Sequence, residues 1–396
     1  MPAIISPTYA EVDLGAIRSN VRIIKDRVAP SKVMAIVKAN AYGHGLRGIA
    51  RVLAGLGVDY FGVSQVREGI IIRDEGLAIP TLILGPLLAE EVPAALSYKL
   101  EMSVVSIENA RIISGIARKH GEFARVHIKV DTGMGRLGIS WLQIVDEIET
   151  ILKLPHLKIA GIFTHFATAD WVQNGFAHEQ MNRFLEILFG LEKRHISIPL
   201  KHAANSGAIL DVPESFLDMV RPGIMLYGYY PSCTTSENIP LEPAMTLRSR
   251  VKQVKHVEAG TGISYGLTYK TPDKTTIASI HAGYGDGYYR GLSNKGTVLI
   301  RGKRYPVVGT VCMDWIMVNL GGDSNVHEGD EAVLFGRQGD SVVSLWELAE
   351  LANTIPYELL CNISERVPRV YTEPVLPPFP LKGKSEKKIM SYTSQY

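Results

Sequence analysis

Val33-Met34-Ala35-Ile36-Val37-Lys38-Ala39-Asn40-Ala41-Tyr42-Gly43-His44-Gly45 decides how the chain is read. Five apolar residues in succession, Val33 to Val37, suit a strand buried on both faces, as in a parallel sheet. Lys38 follows where that strand meets its loop, and a polar stretch with two glycines leads to the next helical pattern. A lysine at the exit of a buried strand is partly desolvated. Its pKa falls, and a neutral amine can attack a carbonyl to form a Schiff base. The plainer reading is a lysine that snorkels to solvent, since lysine is rarely buried unpaired.

From Val33 a rhythm begins. Apolar runs start near Val33, Tyr60, Thr81, Glu101, Val126, Leu157, Leu200 and Leu217. Amphipathic segments lie between them, at 46–56, 65–74, 108–120, 141–152 and 178–195. Eight strand-helix units over roughly 250 residues are what a closed (β/α)8 (TIM) barrel requires; an open doubly wound sheet is the competing arrangement. Before the rhythm, residues 8–12 read as a short strand that packs with the C-terminal part of the chain. Asp13 caps a helix carrying Leu14, Ile17, Val21 and Ile24 at helical spacing.

The pattern changes after residue 235. A polar, proline-bearing linker at 232–243 leads to β-rich runs at 245–257, 276–281, 297–300, 307–320 and 331–335, with a single helix expected at 345–353. The fold expected is therefore α/β, with an N-terminal barrel over 8–240 and a mainly β domain over 241–373. The proline- and lysine-rich stretch 374–396 reads as a loosely held tail.

Composition narrows the function. The 396 residues carry a formal net charge of +2 and no long basic run, so nothing recommends a nucleic-acid surface. The three cysteines are far apart and offer neither a zinc site nor a disulfide framework. No apolar run reaches membrane-spanning length and no signal segment opens the chain, so the expected compartment is the cytoplasm, with no membrane partner.

Active sites of (β/α)8 barrels sit at the C-terminal ends of the strands. Lys38, Lys129, Arg136, His165, Asn205, Ser206, Arg221, Gly223 and Ile224 all fall at such ends on this pattern. Loops after strands 7 and 8 are the habitual phosphate site, and Ser206-Gly207 and Gly223-Ile224 lie there. Ser206 also reads as a helix N-cap, and the two readings are compatible. No dinucleotide or ATP loop stands in a suitable setting. One phosphate and one Schiff-base lysine at a barrel mouth point to pyridoxal 5'-phosphate (PLP), with no metal.

The opening stretch resembles the PLP-lysine motif of the alanine racemase family, and the resemblance continues along the chain. Lys129-Val-Asp-Thr-Gly-Met-Gly-Arg136, Thr164-His165-Phe166, Asn205-Ser206-Gly207 and Val220-Arg221-Pro222-Gly223-Ile224 are similar to its segments. So are Gly262-Ile-Ser-Tyr265-Gly, Gly283-Tyr284-Gly-Asp286-Gly and Val311-Cys312-Met313-Asp314. They occur in the family's order across residues 8–371.

The resemblance implies an alanine racemase making D-alanine for peptidoglycan by a two-base mechanism. Lys38 would bind the cofactor and serve one face of the substrate, with Tyr265 of a partner subunit serving the other in a homodimer with shared sites. A free tyrosine titrates near 10, so acting near neutrality asks about 4 kcal/mol of its surroundings. A chain from Tyr265 through His165 to Arg221 would supply positive potential. Arg221 would face the pyridine nitrogen, where the decarboxylases of this fold carry a Glu-Pro-Gly glutamate. Arg136 would meet the cofactor's phenolic oxygen and the substrate carboxylate, with Lys129 carbamylated to hold it. Tyr42 and Tyr357 would contact the cofactor, and Met313 and Tyr357 would wall the substrate side. Tyr284 and Arg290 would line the entrance. Left open are a racemase of serine or lysine, a decarboxylase of the same fold, and, in a different class, a non-catalytic PLP-binding protein.

Overall fold

The computed structural model describes residues 6–323 and 325–373, so the stretch 374–396 lies outside the described residues. By contact the chain divides into two units. One holds Ala16–Ala41 and Leu46–Glu242; the other holds the segment ending at Gly15, then Tyr42–Gly45, and the chain from Pro243 onward.

The first unit is a parallel barrel. Its strands are β2 (Lys32–Ile36), β3 (Tyr60–Val63), β4 (Thr81–Ile83), β5 (Glu101–Val104), β6 (Ala124–Asp131), β8 (Leu157–Phe163), β9 (Leu200–His202) and β10 (Met219–Val220). A two-residue strand, β7 (Ile139–Ser140), pairs with β6. Order in the sheet follows order in the chain, and β10 returns to pair with β2. The seam between β9 and β10 is held by the Asp218 N–H on the Lys201 carbonyl (3.1 Å) and the Arg221 N–H on the Ala204 carbonyl (2.9 Å). Strands β3, β4 and β5 are buried throughout, as strands covered on both faces are. The helices between are amphipathic: Leu46–Gly55 turns Leu46, Ile49, Ala50 and Leu53 inward, and Ile107–Lys119 does so with Ala110, Ile113 and Ala117 after a Ser106 cap.

Where a loop is expected after Lys38, the backbone instead makes one turn of left-handed helix. Ala39, Asn40, Ala41 and Tyr42 have φ between 51° and 54°. For L-residues this costs roughly 1–2 kcal/mol each, and local hydrogen bonds offset part of it. Glu68 Oε1 accepts the Ala39 N–H (2.6 Å) and Asn40 Oδ1 accepts the Leu46 N–H (2.7 Å).

The second unit is built on β11 (Met245–Val257), a thirteen-residue strand. It pairs antiparallel with β1 (Tyr9–Asp13), β14 (Thr275–Ile280) and β18 (Glu331–Gln338). The rest of its sheet comprises β15 (Thr297–Ile300), β16 (Lys303–Pro306), β17 (Ile316–Gly321), β19 (Ser341–Val343) and β20 (Arg369–Thr372), which runs parallel to β1. A small hairpin joins β12 (Gly262–Ile263) to β13 (Tyr269–Lys270). Two expectations fail here. The run 307–320 is not one strand: Val307 makes a single bridge to Val318, and the chain loops through Cys312 and Met313 before β17. A second short helix, Pro356–Cys361, follows Leu345–Ala352; six residues are too few to leave a readable period. No helix among the described residues is long and apolar enough to cross a membrane.

Candidate active site at the barrel mouth

Arg221 follows β10 directly and is buried at 4 % exposure. Its Nη2 donates to the carbonyls of Thr164 (2.7 Å) and Ala203 (2.8 Å), and its Nη1 to His202 Nδ1 (2.9 Å). His165 Nδ1 lies 3.4 Å from Nη2. Three of the five guanidinium N–H groups are thereby committed, and Nε has no hydrogen-bond partner among the described residues, leaving a fixed donor for an outside acceptor. Burial lowers the Arg221 pKa to about 9.

Lys129, on β6, is equally buried, with Nζ 4.5 Å over the Phe163 ring. Burial first, then the charges of Arg221, Arg136 and Lys38, lower its pKa to about 7; Asp131 opposes them. Burial and the same cations hold His165 well below its ordinary value, so its ring is neutral. Asp131 Oδ1 accepts the N–H groups of Gly133 (2.9 Å) and Gly135 (3.1 Å), shaping the loop that carries Arg136. Four cationic side chains thus feel one another at one end of the barrel.

The loops after β9 and β10 are tied together. Asn205, not Ser206, caps the helix Ser206–Asp211, accepting the Ala208 N–H at 3.0 Å. The Ser206 hydroxyl instead accepts the Gly223 N–H at 2.9 Å, which leaves its own proton to give outward. A Cβ on Gly207 would lie 2.5 Å from the Ala169 carbonyl oxygen, so only glycine fits. The first-turn N–H groups of this helix have no intrahelical acceptor. Ile224 follows in a buried 3-10 turn, Ile224–Tyr227.

Lys38, Lys129, Arg136, His165, Asn205, Ser206, Arg221, Gly223 and Ile224 therefore share the barrel unit. Tyr42, Tyr265, Tyr284, Arg290, Met313 and Tyr357 belong to the second unit. There the Tyr42 and Tyr357 rings lie 6.0 Å apart, and burial raises the Tyr42 hydroxyl's pKa.

Tyr265 sits on a strained turn: Ser264 has φ 66° and ψ −176°, backbone that glycine normally supplies. Ser264 Oγ donates to the Thr310 carbonyl (2.6 Å), and Thr310 Oγ1 donates to the Tyr265 carbonyl (2.8 Å). The Tyr265 side chain is 74 % exposed in the single chain. Tyr284 and Met313 are on adjoining loops, the Tyr284 N–H donating to the Cys312 carbonyl (3.0 Å). Arg366 ties these loops through Asp286 (2.9 Å) and Asp314 (2.8 Å). Arg290, exposed, opens the 3-10 turn Arg290–Leu292.

A family model for the N-terminal domain of alanine racemase matches residues 12–231, and one for the C-terminal domain matches residues 244–371. The chain belongs to the alanine racemase family. It is 44 % identical to the alanine racemase of Halothermothrix orenii over 366 residues, 92 % of this chain and 97 % of that one. The structure of the Clostridium difficile 630 alanine racemase superposes with a TM-score of 0.90 at 42 % identity, covering 94 % of this chain and 97 % of the other. That of the Bartonella henselae alanine racemase, which carries covalently bound pyridoxal phosphate, gives 0.84 at 28 % identity, covering 93 % and 100 %. The family's reaction, interconversion of L- and D-alanine, is this chain's.

Sequence reading missed three residues of this racemase's barrel: Glu101, His127 and His202, all buried inside it. The signal was present as polar residues within apolar strands, Glu101 opening β5 and His127 two places before Lys129 on β6. Strand periodicity puts 127 and 129 on one face, but nothing local says that three strands bring these groups together.

Proposed function

We propose that the barrel mouth holds PLP and that two bases move the alanine α-proton: Lys38 of one subunit and Tyr265 of the partner subunit. The observation that carries this reading is the Arg221 guanidinium, locked by three hydrogen bonds with Nε uncommitted. A donor-only group in that state fits a pyridine nitrogen that stays unprotonated. The donor set fits the remainder of the cofactor: first-turn N–H groups and the Ser206 hydroxyl for a phosphate, and a cluster of cations for its charge. The Bartonella henselae relative binds the same group covalently.

When bound, PLP withdraws electrons from the amino acid and so acidifies its α-proton. Arg221 keeps the ring nitrogen unprotonated, which limits that withdrawal and favours return of a proton to carbon. Lys38 would hold the cofactor through its amine and would take or give the proton on one face. Tyr265 of the partner subunit does so on the other, with neutral His165 beside Arg221 orienting its hydroxyl. Arg136 would hold the substrate carboxylate and the cofactor's phenolic oxygen, and Lys129 as a carbamate would anchor Arg136. Asn205, Gly223 and Ile224 frame the phosphate loops; Tyr42 and Tyr357 contact the cofactor. Met313 restricts the substrate side chain, and Tyr284 and Arg290 flank the entrance. Exposure of Tyr265 in the isolated chain supports a homodimer with shared sites.

The test is product analysis of PLP-loaded protein with L-alanine, L-serine and L-lysine. D-alanine as the dominant product is expected. Amines with carbon dioxide, a preference for the larger substrates, or no turnover would each overturn the reading. For D-alanine entering peptidoglycan, the check is lysis of a gene-deleted host lacking external D-alanine.

A further inference from the structure

Behind Arg221 a chain of buried polar groups crosses the barrel. His202 Nδ1 faces Arg221 Nη1 at 2.9 Å, His202 Nε2 faces His127 Nδ1 at 2.9 Å, and His127 Nε2 faces Glu101 Oε2 at 2.8 Å. The other Glu101 oxygen takes the Arg125 Nε–H at 2.6 Å. Both histidines are fully buried, and Glu101 is 3 % exposed. Arg125 is half exposed, in a pocket it shares with Arg73, Tyr98, Lys99 and Glu101 at the strand-start end of the barrel. The chain therefore runs from the opposite end of the barrel to the mouth.

Its direction is determined by its ends. Arginine can only donate, and an ionised carboxylate can only accept. Burial alone would raise the Glu101 carboxyl, but the hydrogen bonds from His127 and Arg125 and the Arg125 charge outweigh it and hold the pKa below its ordinary value. Working inward, His127 must carry its proton on Nε2, and so must His202, whose Nδ1 then accepts from Arg221. Burial, with the Arg221 charge second, keeps the His202 pKa well below its ordinary value, in line with a neutral ring. Neither imidazole has a second tautomer that satisfies all three bonds.

Packing fixes the rings as well. Phe163 stacks on His202 with centroids 4.8 Å apart and planes 3° apart, and meets His127 edge-on. A Cβ on Gly161 would lie 2.4 Å from His127 Nδ1, so glycine makes the room for that ring. A purely apolar layer would fill this volume at less electrostatic cost.

We propose that Glu101, acting through His127 and His202, is a positioning residue for Arg221: the one-way chain holds the guanidinium as a fixed donor to the cofactor ring nitrogen. This rests on the PLP reading above.

The test is Glu101→Gln, alone and with Arg125→Ala. In the single variant, Arg125 claims the amide oxygen, so the amide N–H faces His127 Nε2. The chain then reverses, and His202 Nδ1–H confronts Arg221 Nη1–H. With Arg125→Ala as well, the amide oxygen is free to accept from His127 and the direction returns. 15N-histidine NMR of the apoprotein should show Nε2-protonated His127 and His202 in the wild type, Nδ1-protonated rings in Glu101→Gln, and Nε2 again in the double variant. PLP affinity of the apoprotein and kcat should fall on the order of 10- to 100-fold in the single variant, as when the group behind a ligand is removed. KM for alanine should change little, and the double variant should recover. Unchanged tautomers, unchanged PLP affinity and kcat, or a loss that Arg125→Ala does not relieve would each overturn the proposal. Should Glu101→Gln not fold, His127→Phe cuts the chain while keeping a ring; wild-type kcat and PLP affinity in that variant would overturn it equally. If the wild type takes up no PLP, the cofactor reading fails, while the NMR still reports the direction of the chain.

Discussion

The Lys129 ammonium nitrogen lies 4.5 Å over the ring of Phe163, the same ring whose centroid is 5.5 Å from the Arg221 guanidinium carbon. Two buried cations thus approach one aromatic ring with little water to screen them, and burial with the neighbouring charges lowers the lysine pKa to about 7.

Lys129 is expected to be carbamylated. An amine titrating near 7 is about half neutral at that pH, a neutral share roughly fifteen-hundredfold larger than for one titrating at 10.5, and the neutral form attacks carbon dioxide. The product is an anion beside Arg221 and Arg136, so repulsion becomes attraction. Protein equilibrated with 13C-bicarbonate should show one carbamate signal, absent in Lys129→Ala and fading as pH falls below 7. Its absence in the wild type at neutral pH would refute the modification. In unmodified protein the unfolded chain binds the extra proton between about 7 and 10.5, so stability should rise with pH across that window.

Lys38 should carry the cofactor. Purified protein should be yellow, and borohydride should leave a cofactor-derived mass on the peptide containing Lys38. Protein that stays colourless after incubation with PLP refutes the cofactor, and an adduct on another lysine refutes the site.

Arg221→Glu should protonate the ring nitrogen and strengthen electron withdrawal. Racemisation should fall on the order of a hundredfold or more, as for other preorganised donors, while pyruvate release by abortive transamination rises. Undiminished racemisation without pyruvate would show that the arginine has no electronic part.

Lys38→Ala and Tyr265→Ala should each be nearly inactive alone, yet complement when mixed. Random exchange makes about half the dimers hybrid, each with one intact site of two, so recovery should approach roughly a quarter of wild-type activity. Verified subunit exchange with no regained activity would place both residues of a site in one chain.

The strand starts at Tyr60 and Thr81 were legible because fully buried parallel strands read as near-continuous apolar runs. Arg221 was legible as a polar residue at a strand end. The left-handed turn Ala39–Tyr42 was not, because alanine has no local preference for positive φ and contacts with Glu68 and Leu46 hold the backbone there. Ser206 was legible as a polar group near a helix start, but its bond to Gly223, seventeen residues on, exists only once β9 and β10 close the barrel.

By itself, the sequence determined the period of the chain and which chemistry stands at strand ends, because both are local properties of residue spacing. Only the tertiary structure decided that Glu101, His127 and His202, from three strands, and Arg221, which follows a fourth, would meet in a single buried line. Which proton each histidine keeps depends on the groups at both ends of that line, and no stretch of chain contains both.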